Sequence, residues 1–162
     1  EHAILIGAGY GISRMAPILQ DIALRLKNNS NTISVKRLDL HWIIEDQAYF
    51  EWFTKLLHEI KDPTGIFNYH IYFVDKTPDE FNEKLMYIST NVGDKNTNVS
   101  LLDNFWDVSG FGLPNWKDKL EKNREKFLDL NCSVFFSGPR KYLKPLNKSC
   151  RKLGIPLNKK RF

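Results

Sequence analysis

A glycine-rich segment near the start of the chain has the composition of a phosphate-binding turn. Gly7, Gly9 and Gly11 directly follow the apolar residues 3–6. A short apolar run that ends in glycine is typical of a buried parallel strand followed by a tight turn. Gly7 allows that turn, and Gly9 and Gly11 lack side chains that would keep a diphosphate away from the backbone. The spacing predicts a dinucleotide phosphate site, with a plain strand–helix packing turn as the alternative.

The residues after the glycines add donors for an anion. Apolar side chains recur every three or four residues from 12 to 26, which predicts an amphipathic helix starting at about Ile12. The unpaired N–H groups and the positive dipole end of such a helix attract an anion. Ser13 supplies a hydroxyl donor and Arg14 a fixed positive charge. We therefore expect the diphosphate to lie between the glycines and the start of this helix.

The rest of the chain alternates between strand-like and helix-like segments. The predicted strands are residues 3–6, 38–44, 66–74 and 132–136, and the predicted helices are 12–26, 49–60, 79–91, 114–130 and a last one after Pro139. Pro145 predicts a break in that last helix. Residues 91–111 favour a long loop with at most a short strand, and residues 155–157 favour at most a short edge strand. This order predicts an α/β fold, a three-layer sandwich with a parallel sheet covered on both faces, in a single domain over residues 1–162.

Ligands of parallel α/β sheets bind at the carboxyl ends of the strands. That rule points to the predicted loops at residues 7–14, 45–47, 75–76, 110–115 and 137–140. The sequence shows no catalytic triad and no paired-carboxylate arrangement that would indicate acid–base catalysis. The four histidines and two cysteines of the chain lack the spacing of metal ligands, so no metal site is predicted.

Composition and charge limit the classes of partner. With 42% hydrophobic and 13% aromatic residues, the 162-residue chain is rich enough to build a core. Its longest apolar run, residues 3–8, is far shorter than the about 20 residues that span a bilayer. Residues 140–162 carry nine Lys and Arg and no acid. This basic end predicts an anionic partner such as a phosphate, a lipid surface or an acidic protein segment, or else a solvated face. Nucleic acid is not expected, because no aromatic-interleaved basic motif is present.

Several motifs along the chain resemble those of one family. Residues 3–13 resemble the opening of its nucleotide-binding half, and residues 42–53 resemble its second strand and helix, with Phe-Glu-Trp as signature. Residues 112–116 resemble its Gly-Arg-Pro-Asn-Trp segment, and residues 134–139 its Val-Phe-x-Cys-Gly-Pro segment. The terminal Phe162 matches the terminal aromatic of the family. The chain is thus identified by resemblance as the C-terminal NAD(P)H-binding domain of an NADPH oxidase or dual oxidase, within the ferric reductase superfamily.

The resemblance implies a ferredoxin-reductase-type nucleotide-binding domain at the C-terminus of a larger membrane flavocytochrome. In such proteins a hydride passes from NADPH to FAD, and electrons then cross the membrane through haem to oxygen, giving superoxide or hydrogen peroxide. We expect this chain to be a fragment, because it begins inside an apparent core strand. The resemblance implies that this domain lies on the cytosolic side of the membrane. Its expected partners are the upstream FAD-binding domain, and a regulatory subunit or an anionic membrane surface at the basic end.

The resemblance also implies roles for single residues. Its pyrophosphate site corresponds to Gly7, Ala8, Gly9, Gly11 and Ser13, with Arg14 in place of a usual proline. Ser137 stands where the family has a cysteine near the nicotinamide, and Gly138 and Pro139 turn the chain beneath that ring. Phe162 would stack on the flavin. Ser137 and Phe162 are therefore the residues expected beside the reacting rings.

Two positions depart from the family where it binds the 2′-phosphate of NADPH. The family has an arginine after the second strand and another in Gly-Arg-Pro-Asn-Trp. Here Glu45, followed by Asp46, and Leu113, followed by Pro114, take those places. Glu45 either accepts hydrogen bonds from an unphosphorylated ribose, as acids do in NAD-binding folds, or is a solvated acid at a helix start. The alternatives left open are NADPH or NADH as the cofactor, a ferric-chelate reductase, and a degenerate nucleotide domain kept for regulation or assembly.

Overall fold

The computed structural model describes residues 1–28, 34–45, 57, 65–74, 109–127 and 130–160. They build a six-stranded sheet in the order β4-β3-β2-β1-β5-β6, and each adjacent pair of strands is parallel. The strands are β1 (His2–Ala8), β2 (Arg37–Ile44), β3 (Phe67–Phe73), β4 (Ser109–Phe111), β5 (Cys132–Ser137) and β6 (Leu157–Lys160). The predicted parallel sheet is confirmed, and the carboxyl ends of all these strands share one edge.

The first connection differs from the predicted helix start. Gly9–Arg14 forms a 3-10 helix, here called the glycine turn, and helix α1 (Ala16–Lys27) begins only after it. A backbone φ of 52° at Gly9 turns the chain out of β1, and the Met15 N–H then donates to the Ile12 carbonyl at 2.8 Å. The prediction that an α-helix begins at Ile12 is wrong by about one turn. The predicted end near residue 26 is confirmed to within one residue.

Two cores cover the two faces of the sheet, as the three-layer prediction requires. One core lies between the sheet and α1, and Leu57, which is helical, joins it. The other lies beneath helices α2 (Trp116–Lys126) and α3 (Arg140–Leu153). Strand β1, at the centre of the sheet, is buried on both faces along almost all of its length, which explains why residues 3–6 read in sequence as a continuous apolar run.

Helix α2 is positioned by its cap. The Asn115 side chain accepts a hydrogen bond from the Lys117 N–H at 3.2 Å, and Trp116 follows as the first helical residue, 3% exposed. A capping asparagine satisfies one of the N–H groups that a helix start leaves unpaired. The helix therefore starts within two residues of the predicted Pro114, at the carboxyl edge of the sheet.

Helix α3 runs through Pro145 without a break, so the predicted break is wrong. A proline in a helix removes one backbone hydrogen bond. The buried face made by Tyr142, Leu143, Leu146 and Cys150 packs against the sheet on both sides of the exposed Pro145 and keeps the helix continuous. Gly154 ends the helix in the left-handed conformation.

Some predictions lie outside the described residues. These are the helix at residues 49–60 except for position 57, the helix at 79–91 and the loop up to residue 108. None of the described helices is long and apolar enough to cross a bilayer.

Candidate functional site

The predicted site loops meet at the carboxyl edge of the sheet. The glycine turn follows β1, Glu45 follows β2, and Ser137 ends β5. Since β2 and β5 flank β1 on opposite sides, these three segments are neighbours in space. The chain order of the strands reverses between β1 and β5, and in open α/β sheets ligands bind in the crevice at such a switch point.

The glycine turn packs tightly against the end of β5. A Cβ added at Gly11 would lie 1.9 Å from the Ser137 carbonyl oxygen. At Gly138, φ is 153° and a Cβ would meet the Ala8 Cβ at 2.7 Å. Only glycine fits at either position, because backbone atoms on both sides are in van der Waals contact. Gly11 and Gly138 thus allow the glycine turn and the end of β5 to pack directly against each other. This packing role adds to the role predicted from sequence for Gly11, which is to let a diphosphate approach the backbone.

Glu45 lies beside the glycine turn. A Cβ at Gly9 would lie 3.0 Å from the Glu45 Oε2, which shows how closely the carboxylate covers the turn. The other oxygen, Oε1, accepts a hydrogen bond from the Tyr142 hydroxyl at 2.8 Å and contacts the Lys141 ammonium. We call Glu45, Lys141 and Tyr142 the carboxylate clasp. The clasp joins the end of β2 to the start of α3 across the carboxyl end of β1.

The clasp holds Glu45 in its charged form. Burial raises the pKa of Glu45, but the hydrogen bonds from Lys141 and Tyr142 outweigh it and bring this pKa below its ordinary value. The bond to Glu45 raises the pKa of Lys141. A carboxylate and an ammonium therefore face each other over the glycine turn at neutral pH.

Two serines predicted in the site have different environments. The Ser137 side chain is 2% exposed, and its Oγ has no hydrogen-bond partner among the described residues. An unsatisfied buried hydroxyl is costly, so its presence beside the crevice favours a ligand that supplies the missing partner. The Ser13 hydroxyl is exposed and donates to the Tyr10 carbonyl at 2.8 Å. Arg14, at the end of the turn, is exposed.

The remaining predicted residues are more distant or not described. Leu113 is 45% exposed and follows β4, together with the half-buried Pro114. Strand β4 is three strands from β1, which corresponds to about 14 Å. Leu113 and Pro114 therefore lie at the same edge of the sheet as the crevice between β1 and β5, but they are not part of that crevice. Asp46 and Phe162 lie outside the described residues.

The family model described as "Ferric reductase NAD binding domain" matches residues 1–151, which include the crevice and all of the described strands except β6. The chain belongs to this family. The predicted membership of the ferric reductase superfamily is confirmed, and the crevice between β1 and β5 is part of its NAD-binding domain.

Curated relatives carry oxidase names. The chain is 27% identical to a superoxide-generating NADPH oxidase heavy chain of Dictyostelium discoideum, covering 92% of this chain and 28% of that protein. It is 28% identical to "Dual oxidase" of Drosophila melanogaster, covering 93% of this chain and 10% of that protein. With "NADPH oxidase 1" of Mus musculus the identity is 24%, over 94% of this chain and 26% of that protein. The NAD-binding domain thus spans between a tenth and somewhat over a quarter of these relatives.

Lys141 and Tyr142 were not predicted from the sequence. Both follow the Gly138-Pro139 turn, and Lys141 is one of the cations at the basic end of the chain. A cation in the first turn of the helix after such a turn is a signal for an anion-binding position. That signal is weak, because the partner of Lys141 lies 96 positions earlier in the chain, at Glu45.

Proposed function

We propose that the chain binds a nicotinamide dinucleotide, NADPH or NADH, in the crevice between β1 and β5 and presents it to FAD for hydride transfer. The observation that carries this proposal is the contact between the glycine turn and the Ser137–Gly138 backbone at the switch point of an all-parallel sheet. When bound, the dinucleotide supplies the hydride and the flavin accepts it. The chain itself binds, orients and shields.

Residues on the two walls of the crevice take different parts of the dinucleotide. The wall formed by β1 and the glycine turn takes the diphosphate, through Gly7, Ala8, Gly9, Gly11, Ser13 and Arg14. The wall formed by the end of β5 takes the nicotinamide, with the Ser137 hydroxyl as a hydrogen-bond partner and Gly138 and Pro139 shaping the chain beneath it. The unpartnered, buried Oγ of Ser137 supports this assignment. Asp46, Leu113 and Pro114 stay predicted contacts of the adenosine half, and Phe162 a predicted contact of the flavin.

The reaction continues in a longer protein of which this chain is one domain. The relatives are three or more times longer than the matched segment, and one is named for generating superoxide. We propose that FAD and haem are bound by the upstream part of that protein, in a membrane, with this domain on the cytosolic side. Electrons then reduce oxygen to superoxide or hydrogen peroxide. Since the family description names ferric reductases, a ferric chelate is the alternative acceptor, and the upstream sequence decides between the two.

The basic end of the chain contributes a docking surface to this proposal. Exposed cations recur along α3 at Arg140, Lys144, Lys148 and Arg151, and this helix carries no acid. Such a stripe attracts an anionic surface. We propose that it faces a regulatory subunit or an anionic membrane in the assembled oxidase.

A regulatory or assembly module is the second candidate function. It is favoured by the carboxylate of Glu45, which lies against the glycine turn where a diphosphate is proposed. Under this alternative the fold is retained and dinucleotide binding is lost.

Titration with NADH and NADPH tests the proposal. Saturation-transfer NMR or calorimetry on the chain is expected to show binding of at least one dinucleotide at up to millimolar concentration. Glu45→Arg together with Leu113→Arg is expected to strengthen NADPH binding, since each charge-assisted contact to the 2′-phosphate is worth about 1.5–3 kcal/mol. Absence of binding in both proteins contradicts the proposal and favours the regulatory module.

A further inference from the structure

The carboxylate clasp spans the opening of the proposed diphosphate site. Glu45 reaches the clasp from β2, on one side of β1, and Lys141 and Tyr142 reach it from α3, on the other side. The glycine turn lies between them, with the carboxylate close to Gly9. Any anion that binds to the turn therefore comes close to all three side chains.

The two donors of the clasp already hold an oxyanion. One carboxylate oxygen of Glu45 takes both the Tyr142 hydroxyl, at 2.8 Å, and the Lys141 ammonium. A phosphate oxygen accepts hydrogen bonds from a phenol and an ammonium in the same way as a carboxylate oxygen does. Lys141 and Tyr142 thus form an anion site, and the side chain of Glu45 occupies it.

The Glu45 side chain can leave this anion site at a small cost in free energy. The Lys141 side chain is 58% exposed and that of Glu45 is 29% exposed. Ion pairs in contact with water contribute little to stability, because water solvates the separated charges nearly as well. Lys141 can therefore exchange Glu45 for another anion without loss of the fold, whereas Tyr142, 4% exposed, stays packed in the core.

We propose that Lys141 and Tyr142 bind a phosphate of the dinucleotide, and that Glu45 competes with this phosphate for them. The inference rests on the proposed function, since it adds residues to the same site. When the dinucleotide binds, its phosphate takes the two donors and the Glu45 side chain turns away. NADH and NADPH carry the same diphosphate, so Glu45 weakens the binding of both to a similar degree.

Calorimetric titration of three variants with NADH and with NADPH tests this inference. Glu45→Gln removes the competing charge and is expected to strengthen binding of both dinucleotides by a similar factor, about three- to tenfold. Lys141→Met removes a charge-assisted contact and is expected to weaken both by about tenfold or more. Lys152→Met is the matched control: it removes an exposed cation eleven positions further along α3, and a change of less than about twofold is expected.

The non-additivity of two substitutions sharpens the test. In the Glu45→Gln background Lys141 no longer has a charged competing partner, so Lys141→Met is expected to cost more than in the original chain. Lys141 is exposed, so its substitution leaves folding intact, and circular dichroism checks this.

Several outcomes would overturn the inference while the proposed function stands. Weaker NADH binding in Glu45→Gln shows that Glu45 holds the ribose instead. Stronger binding of NADPH alone shows that Glu45 acts on the 2′-phosphate. Equal effects of Lys141→Met and Lys152→Met show that Lys141 is not a ligand. If neither the original chain nor Glu45→Gln binds either dinucleotide at millimolar concentration, the proposed function itself fails, and this inference fails with it.

Discussion

Two groups of charged and polar side chains in this domain differ in how they are exposed to water. One group, here called the buried polar layer, lies between the sheet and α2 and consists of His2, Asp39, His41 and Tyr72. The other is the carboxylate clasp at the carboxyl edge. Asp39 is 1% exposed and lies 2.6 Å from the His2 Nε2, whereas the Lys141 side chain in the clasp is 58% exposed.

Burial decides what each group can do. In the buried polar layer, the Asp39 carboxylate keeps fixed partners, His2 on one oxygen and Arg37 at 2.9 Å on the other. A buried charge that loses its partner is strongly destabilising, so this arrangement cannot change in the folded protein. In the clasp, water replaces a lost partner. The comparison indicates that the buried charges of this fold need their partners, while exposed charges at its carboxyl edge can exchange partners with a ligand.

The largest effect is expected from Asp39→Asn. The substitution removes the negative charge between His2 and Arg37 and should lower the free energy of unfolding by about 3–5 kcal/mol. Chemical denaturation measures this change. The matched control is Asp21→Asn, which breaks an exposed ion pair with Arg25 and should cost less than about 0.5 kcal/mol. Equal costs at the two positions would remove the contrast between buried and exposed pairs.

Acid should weaken the buried polar layer in two stages. Burial lowers the pKa of His41 in the folded protein to about 3, whereas its ordinary value is 6.5. As the pH falls below 6.5, the unfolded chain therefore binds a proton on His41 before the folded protein does. The free energy of unfolding should therefore fall as the pH drops from 6.5 towards 3, by up to about 1.4 kcal/mol per pH unit for this group. His41→Phe should remove that part of the slope, which denaturation experiments on both sides of the ordinary histidine pKa would measure. An unchanged slope would mean that His41 is not a buried neutral base.

The second stage concerns Asp39. Burial raises its pKa, but the bonds from His2 and Arg37 outweigh this effect and bring the pKa from 3.8 down to about 2. The stability that Asp39 contributes is complete above about pH 4 and is lost as the pH falls through about 2. Asp39→Asn should remove this acid-sensitive step, and the difference between the denaturation curves of the two proteins below about pH 4 measures it.

An intermediate effect is expected where the two walls of the crevice touch. Gly11→Ala places a methyl group against the Ser137 carbonyl, so the glycine turn must shift, at a cost of about 1–3 kcal/mol in stability. Dinucleotide binding should weaken as well, because the crevice deforms. In the control, Gly110→Ala, the nearest atom is a Tyr72 ring carbon at an ordinary 3.6 Å. If Gly11→Ala had the same stability and the same dinucleotide affinity as Gly110→Ala, the packing role of Gly11 would be contradicted.

The smallest effect is expected in the clasp itself. Tyr142→Phe removes the hydroxyl that donates to Glu45 but keeps the buried ring, so stability should fall by less than about 1 kcal/mol. Combined with Glu45→Ala, it should cost no more than the larger of the two single changes, since both remove the same hydrogen bond. Denaturation of the two single variants and the double variant forms the cycle. A cost as large as that of Asp39→Asn would place the clasp among the fixed interactions of the core.

Local sequence patterns predicted most of the strands. The segments at 38–44 and 66–74 match β2 and β3 to within one residue at each end, because short runs rich in β-branched, apolar and aromatic residues favour strands. Patterns were less reliable where tertiary packing outweighs a local preference. Pro145 is unfavourable in a helix by itself, yet the buried residues around it keep α3 intact. The glycine turn forms a 3-10 helix in which Gly11 packs against the end of β5, a contact with residues far along the chain.

The sequence by itself determined the parallel α/β fold, the family and the edge of the sheet where the glycine turn and Ser137 lie. These follow from local periodicity and from motifs of a few neighbouring residues. Only the tertiary structure decided that Gly11 must accommodate the Ser137 carbonyl and that Glu45 is bound by Tyr142, 97 positions away. Such contacts depend on the order of strands in the sheet, and the pattern of any one segment does not encode that order.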